Sequence, residues 1–312
     1  MNELATAEKG IATTRADVRA AYLADLDAAP KTIQTYKRAL KAYEAYLDSR
    51  GMGALDATRD DVLAYKRGMI EAGKSAATVN SYLTAVRSLY AWLEAKRIYP
   101  NVARTVKGVK RNARSPKDAL TLEQAARIVT PKGNDLEELR DAAMLNLMVR
   151  RGLRTCEIVR ADIGDLRQIN GEAVLYVQGK GYAEKGDFVV LNASCLNPVY
   201  AYLDARGETD PAAPLFASHG NRNKGGRMTT RSVSRIAKSA LEGEGMASAR
   251  LTAHSLRHTA VTFALLGGAT PQEAQAMARH ASIETTMIYA HNLDRMKAGA
   301  ERSVDAFMSR IA

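Results

Sequence analysis

The chain of 312 residues is 46% hydrophobic, 25% charged and 6% aromatic, the balance of a folded protein rather than a collagen-like, low-complexity or disordered one. At this length two domains, each with its own core, are expected in preference to one. Forty-five Lys and Arg against 34 Asp and Glu leave a formal charge of +11. That excess points to a polyanionic partner, nucleic acid above all, and no long apolar span or Lys-rich amphipathic segment argues for a membrane instead.

Residues 1–14 carry no apolar period and read as a loose end; Glu3 and Glu8 interrupt what would be the apolar stretch of a signal peptide, so a cytoplasmic protein is expected. From 15 to 97 apolar residues recur at three- and four-residue steps, which predicts four helices. Pro30 starts the second, Arg50-Gly51 and Gly53 end it, Ala72-Gly73 separates the third from the fourth, and Tyr99-Pro100 closes the set. The reading is a helical domain over 15–103. Lys96, Arg97, Arg104, Lys107, Lys110, Arg111, Arg114 and Lys117 follow one another without an acid, so 104–118 is expected to be a basic linker; a solvated charged run is the plainer reading.

The second domain, 119–291, opens on Thr121 with Gln124 three residues on, the pattern of a capping box, and continues in a helix over 136–150. The period then changes: 166–169, 173–178 and 188–191 read as short antiparallel strands split by Asn170-Gly171 and Gly179-Lys180-Gly181. Helices are expected at 195–206, 230–242, 254–266, 271–277 and 283–289, with a separate amphipathic one over 292–311. The fold class is therefore mainly α with a small antiparallel β-sheet. Arg222, Lys224, Arg227, Arg231, Arg235 and Lys238 form a second basic region in a stretch without acids, expected to contact phosphates. Asn80, Thr84, Arg87 and the helix around Arg231 are the candidates for reading bases.

Five scattered histidines with no acid at ligand spacing give no metal site, Cys156 and Cys195 make neither a zinc site nor a disulfide framework, and no phosphate-binding glycine loop is present. No cofactor is expected. Three polar stretches remain: Arg151-Gly152-Leu153-Arg154-Thr155-Cys156-Glu157-Ile158, His254-Ser255-Leu256-Arg257-His258, and the run from His280-Ala281-Ser282 to Tyr289-Ala290-His291. In their order and intervals, with Lys180 on a glycine-flanked hairpin between them, they resemble the tyrosine recombinases, or phage integrases, particularly the short Xer-like members. Ser75-Ala76-Ala77-Thr78-Val79-Asn80-Ser81-Tyr82-Leu83 similarly resembles the family's helical core-binding domain, so the likeness covers nearly the whole chain.

The resemblance implies a helical core-binding domain ahead of an α+β catalytic domain, and a site-specific recombinase acting on double-stranded DNA with an inverted-repeat core site. A homotetramer would work on two duplexes, exchanging strands through a 3′-phosphotyrosyl link and a Holliday junction, with accessory proteins left open. Arg154 and Arg257 would clamp the non-bridging phosphate oxygens, since a planar, permanently charged fork suits that geometry. Tyr289 would be the nucleophile, His254 its base and His280 a further phosphate ligand. Lys180 would protonate the departing 5′-oxygen, with Lys185 as a rival. The segment 292–312 would dock on a neighbouring protomer or pack on its own domain.

Each residue also has a plain reading: Arg154 paired with Glu157 at i+3, His254 and His258 as a packed helix face, Tyr289 as a packing aromatic. Ala278-Arg279 stands where the family more usually has Leu-Gly, and Arg279 would either touch DNA or face solvent. Two other functions compete: a type IB topoisomerase, which would relax DNA as a monomer, and a DNA-binding accessory protein without turnover.

Overall fold

The computed structural model describes residues 15–110, 118–179, 184–221, 223–297, 304–305 and 307–309, and its contacts divide the chain into two units, 1–112 and 113–312.

The first unit holds α1 (Arg15–Asp25), α2 (Pro30–Asp48), α3 (Arg59–Glu71) and α4 (Ala76–Ala95). Local chemistry sets their starts. Pro30 occupies the first turn of α2, where its missing N–H costs nothing; Thr58 and Asp61 form a reciprocal capping box on α3; and Ser75 accepts the Thr78 N–H at the head of α4. Their inward faces, including Leu40, Tyr43, Leu47, Val62, Leu83, Val86 and Leu93, make one core. Tyr90 spends its hydroxyl proton on the Ala54 carbonyl at 2.9 Å, so at 3.0 Å Tyr43 is the donor to Tyr90.

The stretch expected to begin a linker belongs, as far as 110, to this unit. Ala103 and Val106 are buried in its core. Asn80 reaches across from α4 to bond both backbone groups of Val109, donating to the carbonyl at 2.9 Å and accepting from the N–H at 2.7 Å. Arg87 donates to the Val106 carbonyl at 2.9 Å. A Cβ on Gly108 would stand 2.6 Å from the Asn80 side-chain oxygen, so only glycine admits this contact. The basic charge of the stretch masks apolar Ala103, Val106 and Val109, whose three-residue spacing is what docks it.

The second unit is built around α6 (Leu136–Arg151), whose residues 142–149 are all buried. A helix apolar on every side must be surrounded, and α5 (Leu122–Val129), α8 (Ala193–Arg206) and α10 (Ala253–Leu266) pack on it. Thr121 and Gln124 form the expected capping box on α5. Beside this core lies an antiparallel sheet in the order β1 (Leu166–Ile169), β2 (Glu172–Val177), β3 (Asp187–Val190), with Leu175 opposite both Leu166 and Val189. The remaining elements are α9 (Thr230–Gly243), α11 (Pro271–Ala278) and α12 (Ile283–Lys297).

Two features depart from the sequence reading. A short helix, α7 (Thr155–Arg160), directly follows Arg154; six residues are too few for a helical period to declare itself. And α12 runs unbroken through the expected break near 290, since Ala290-His291 contains neither glycine nor proline to stop it. Among the described residues no helix is long and apolar enough to cross a membrane.

Candidate active site

Arg154 stands at the head of α7 because Gly152, at φ +62°, ends α6 in the left-handed conformation and turns the chain. Glu157, with its side chain fully buried, then folds back: its carboxylate accepts the Arg154 backbone N–H at 2.8 Å and pairs with the Arg154 guanidinium at 2.7 Å. The i+3 pair offered as the plain reading of Arg154 thus exists, and it leaves the second guanidinium nitrogen free to bond elsewhere. Through Nη2, Arg154 donates to the carbonyl of Arg279 at 2.8 Å, 125 residues further along the chain.

Arg257 reaches the same place from α10. Its Nη1 donates to the Gly152 carbonyl at 2.5 Å and its Nη2 to that of Ala278. The two guanidiniums therefore hang on consecutive carbonyls, 278 and 279. Arg257 is only 2% exposed, and burial together with the neighbouring Arg154 charge pulls its pKa down to about 9. It is still protonated at neutral pH, a cation held where water is excluded.

His280 comes next in the chain, its carbonyl fixed by the Gln275 amide at 3.0 Å. Its Nδ1 lies 2.8 Å from the Thr286 hydroxyl on α12. Burial, then the cations Arg257 and Arg154, hold its pKa down at about 4, so the ring is neutral at pH 7. A neutral ring whose Nδ1 accepts the Thr286 proton carries its own on Nε2, as a donor for an anion. Tyr289 sits half-buried two turns along α12. Its ring is 5.0 Å from that of His258, which in turn is 4.4 Å from exposed His254. The sequence offers His258 only as part of a packed helix face with His254, four residues away, and does not single out Thr286.

Arg154, Arg279 and His280 line a cleft of about 520 Å³ whose other wall is Gly179, Glu184, Gly186 and Asp187 of the β2–β3 hairpin. Lys180 itself lies outside the described residues, but both described ends of its segment, Gly179 and Glu184, line this cleft. A second hollow of about 620 Å³ adjoins it through Arg154 and is lined by Arg257, His254 and Lys238. Lys185, the rival acid, is committed elsewhere: its ammonium pairs with Asp162 at 2.6 Å and with Asp165. Burial would lower its pKa, but these two carboxylates raise it, the wrong direction for giving up a proton.

The expected DNA-contacting residues divide into groups. Lys107, Lys110, Lys224, Arg231 and Arg235 are exposed. Arg227 is exposed too but engaged, paired with Asp162 and donating to the Val159 carbonyl at 2.8 Å; the acid it lacks in its own stretch is supplied by the turn after α7. Asn80 and Arg87, expected on an exposed face, are half-buried and engaged with backbone at 106–109. Arg111, Arg114 and Arg222 lie outside the described residues. Among the described residues no group of three or more His, Cys, Asp or Glu is placed to hold a metal ion.

Residues 118–296 match the model of the phage integrase family, and 19–97 that of the phage integrase N-terminal SAM-like domain. Tyrosine recombinase XerD of Rhizobium meliloti is 30% identical over 295 residues, covering 89% of this chain and 93% of that protein. Tyrosine recombinase XerC of Pelobacter propionicus is 32% identical over 272 residues, covering 86% and 87%. Among solved structures, the XerH site-specific recombinase in a post-cleavage complex with palindromic difH substrate has the same fold, with a TM-score of 0.71 at 20% identity, 93% of this chain and 86% of that one. A lambda integrase tetramer bound to a Holliday junction gives a TM-score of 0.68 at 19% identity, with 90% and 78% covered. With the catalytic-domain match alone spanning more than half its length, this chain belongs to the phage integrase family, the tyrosine recombinases.

Proposed function

We propose that the protein is a site-specific DNA recombinase that cuts and rejoins strands through Tyr289. The observation that carries the reading is the meeting of Arg154 and Arg257, 103 positions apart, on the carbonyls of 278 and 279 beside His280. A phosphodiester under attack gathers negative charge on its non-bridging oxygens, and fixed cations in a dry site meet that charge without reorganisation. Each guanidinium has five N–H donors, and the bonds described use two on each, leaving donors for a phosphate.

In the reaction the Tyr289 oxygen bonds to phosphorus while its proton passes to His254, with His258 in ring contact with both side chains. The bond from phosphorus to the 5′-oxygen breaks, and Lys180 supplies the proton that oxygen needs as it leaves. The product, a 3′-phosphotyrosyl ester, keeps the energy of the broken bond, so a 5′-hydroxyl from a second duplex reverses the step on a new partner. Lys107, Lys110, Arg231 and Arg235 supply phosphate contacts, and Arg111, Arg114 and Arg222 extend them.

Exchange between two duplexes needs four protomers on an inverted-repeat core site. Val304, Phe307 and Met308 in the tail are exposed apolar residues, and a hollow of about 570 Å³ lined by Leu122, Val129, Phe263 and Met277 offers an apolar seat for a neighbour's tail. With DNA as substrate, the cytoplasm is the place of action.

The test is to incubate the protein with fragments of its own genomic neighbourhood and sequence the DNA trapped on tyrosine. Wild-type protein should give one covalent adduct at a defined site and Tyr289→Phe none. An adduct that survives in Tyr289→Phe removes Tyr289 as nucleophile, and supercoil relaxation by a monomer without recombinant products reassigns the enzyme as a topoisomerase.

A further inference from the structure

Arg279 does not send its side chain into solvent: at the edge of the cleft it is only 6% exposed. It caps α11 in the left-handed conformation, φ 52° and ψ 48°, which an L-residue adopts at a cost of about 1 kcal/mol and which glycine meets freely. What the arginine gains there is specific. Its guanidinium pairs with buried Glu157 at 2.8 Å, and Nη1 donates to the Met277 carbonyl at 2.6 Å. Its own carbonyl receives Arg154.

Glu157 without Arg279 would have Arg154 as its ion-pair partner, and a carboxylate held 2.7 Å from that guanidinium cancels much of the charge Arg154 could offer a phosphate. With Arg279 present, one anion is shared between two cations. We propose that Arg279 is a positioning residue of the phosphate pocket: it takes up the Glu157 carboxylate, so that Arg154 is held in place by carbonyl and carboxylate while its positive charge stays available to the scissile phosphate. The proposal rests on the reading of Arg154 as a phosphate ligand.

The experiment uses the full chain and a duplex carrying the site recovered by tyrosine trapping, nicked just downstream of the cleaved bond so that the short fragment bearing the new 5′-hydroxyl diffuses away and the adduct accumulates. Arg279→Gly is free of backbone strain and should fold and bind the intact duplex like wild type, yet form adduct about tenfold more slowly. Arg279→Lys, keeping a cation, should stay within roughly threefold of wild type. The deciding variant is Glu157→Gln combined with Arg279→Gly: deleting the carboxylate as well should restore most of the lost rate, because there is then no anion to neutralise. Wild-type rate in Arg279→Gly, or a double variant no faster than Arg279→Gly, overturns the proposal. No adduct from wild type itself overturns the recombinase reading, a different result from either.

Discussion

Arg257 donates to the carbonyl of Gly152 at 2.5 Å, so the residue that turns the chain toward the first arginine also anchors the second. Gly152 is glycine for its backbone: φ is +62°, while an added Cβ would meet the Ala260 Cβ only at ordinary contact distance, 3.4 Å. Gly152→Ala should lower stability by about 1–2 kcal/mol through backbone strain. It should also slow covalent adduct formation more than it weakens DNA binding, because the shift falls between the two guanidiniums. Thermal melts and single-turnover cleavage on the same preparation check both parts.

His280 makes stability depend on pH. Its folded pKa of about 4 lies below the ordinary histidine value of 6.5, so the folded state binds fewer protons and acid favours unfolding. The stability is fully present above pH 6.5 and is lost as pH falls toward 4. Allowing for partial solvent exposure, the loss is on the order of 2 kcal/mol. His280→Gln should flatten the decline in melting temperature between pH 6.5 and 4.5; an unchanged slope would show that other groups carry it.

The two lysines of the hairpin should separate cleanly. Lys185→Ala removes an ion pair to Asp162 and Asp165 and should lower the cleavage rate by less than tenfold, whereas Lys180→Ala should cost a hundredfold or more, the usual range for a lost general acid. Replacing the bridging 5′-oxygen by sulfur, a leaving group that needs no proton, should rescue Lys180→Ala. Rescue of Lys185→Ala instead would exchange their roles.

Holding 106–109 against α4 falls to Asn80, which satisfies both backbone groups of Val109. Asn80→Ala leaves those groups without their partner and should destabilise the first unit by about 1–3 kcal/mol. Gly108→Ala should act in the same direction. Hydrogen exchange at the Val109 amide reads the local effect directly.

Exposed Arg231 and Arg235, if they contact phosphates, should each contribute about one unit to the salt dependence of binding. Single alanine variants should weaken binding equally to specific and unrelated duplexes and reduce the slope of log K against log salt by about 0.9. Arg227→Ala should instead lower the melting temperature, since its guanidinium is spent on Asp162 and the Val159 carbonyl.

The helices of the first unit and the strand ladder were legible because period, proline and capping residues are local signals. The three polar stretches that carry the family resemblance single out Arg154, Arg257, His280 and Tyr289, and the fold brings both arginines to the carbonyls beside His280. What the sequence hid was the use of long side chains. Arg87, Arg227 and Arg279 are expected at DNA or solvent and Lys185 as a rival acid, yet each is committed to a carbonyl or carboxylate between 19 and 122 positions away. Hydrophobic period says nothing about where a guanidinium ends. The unbroken α12 is hidden for a related reason: a motif ends near His291, but Ala290-His291 holds no residue that stops a helix.

That continuity has a mechanical consequence. Tyr289 and Lys297 ride on one rod, eight residues or about 12 Å apart along its axis. A rod of hydrogen-bonded turns transmits a push or twist rather than absorbing it, so a force applied at Lys297 reaches the phenol of Tyr289 as a change of position.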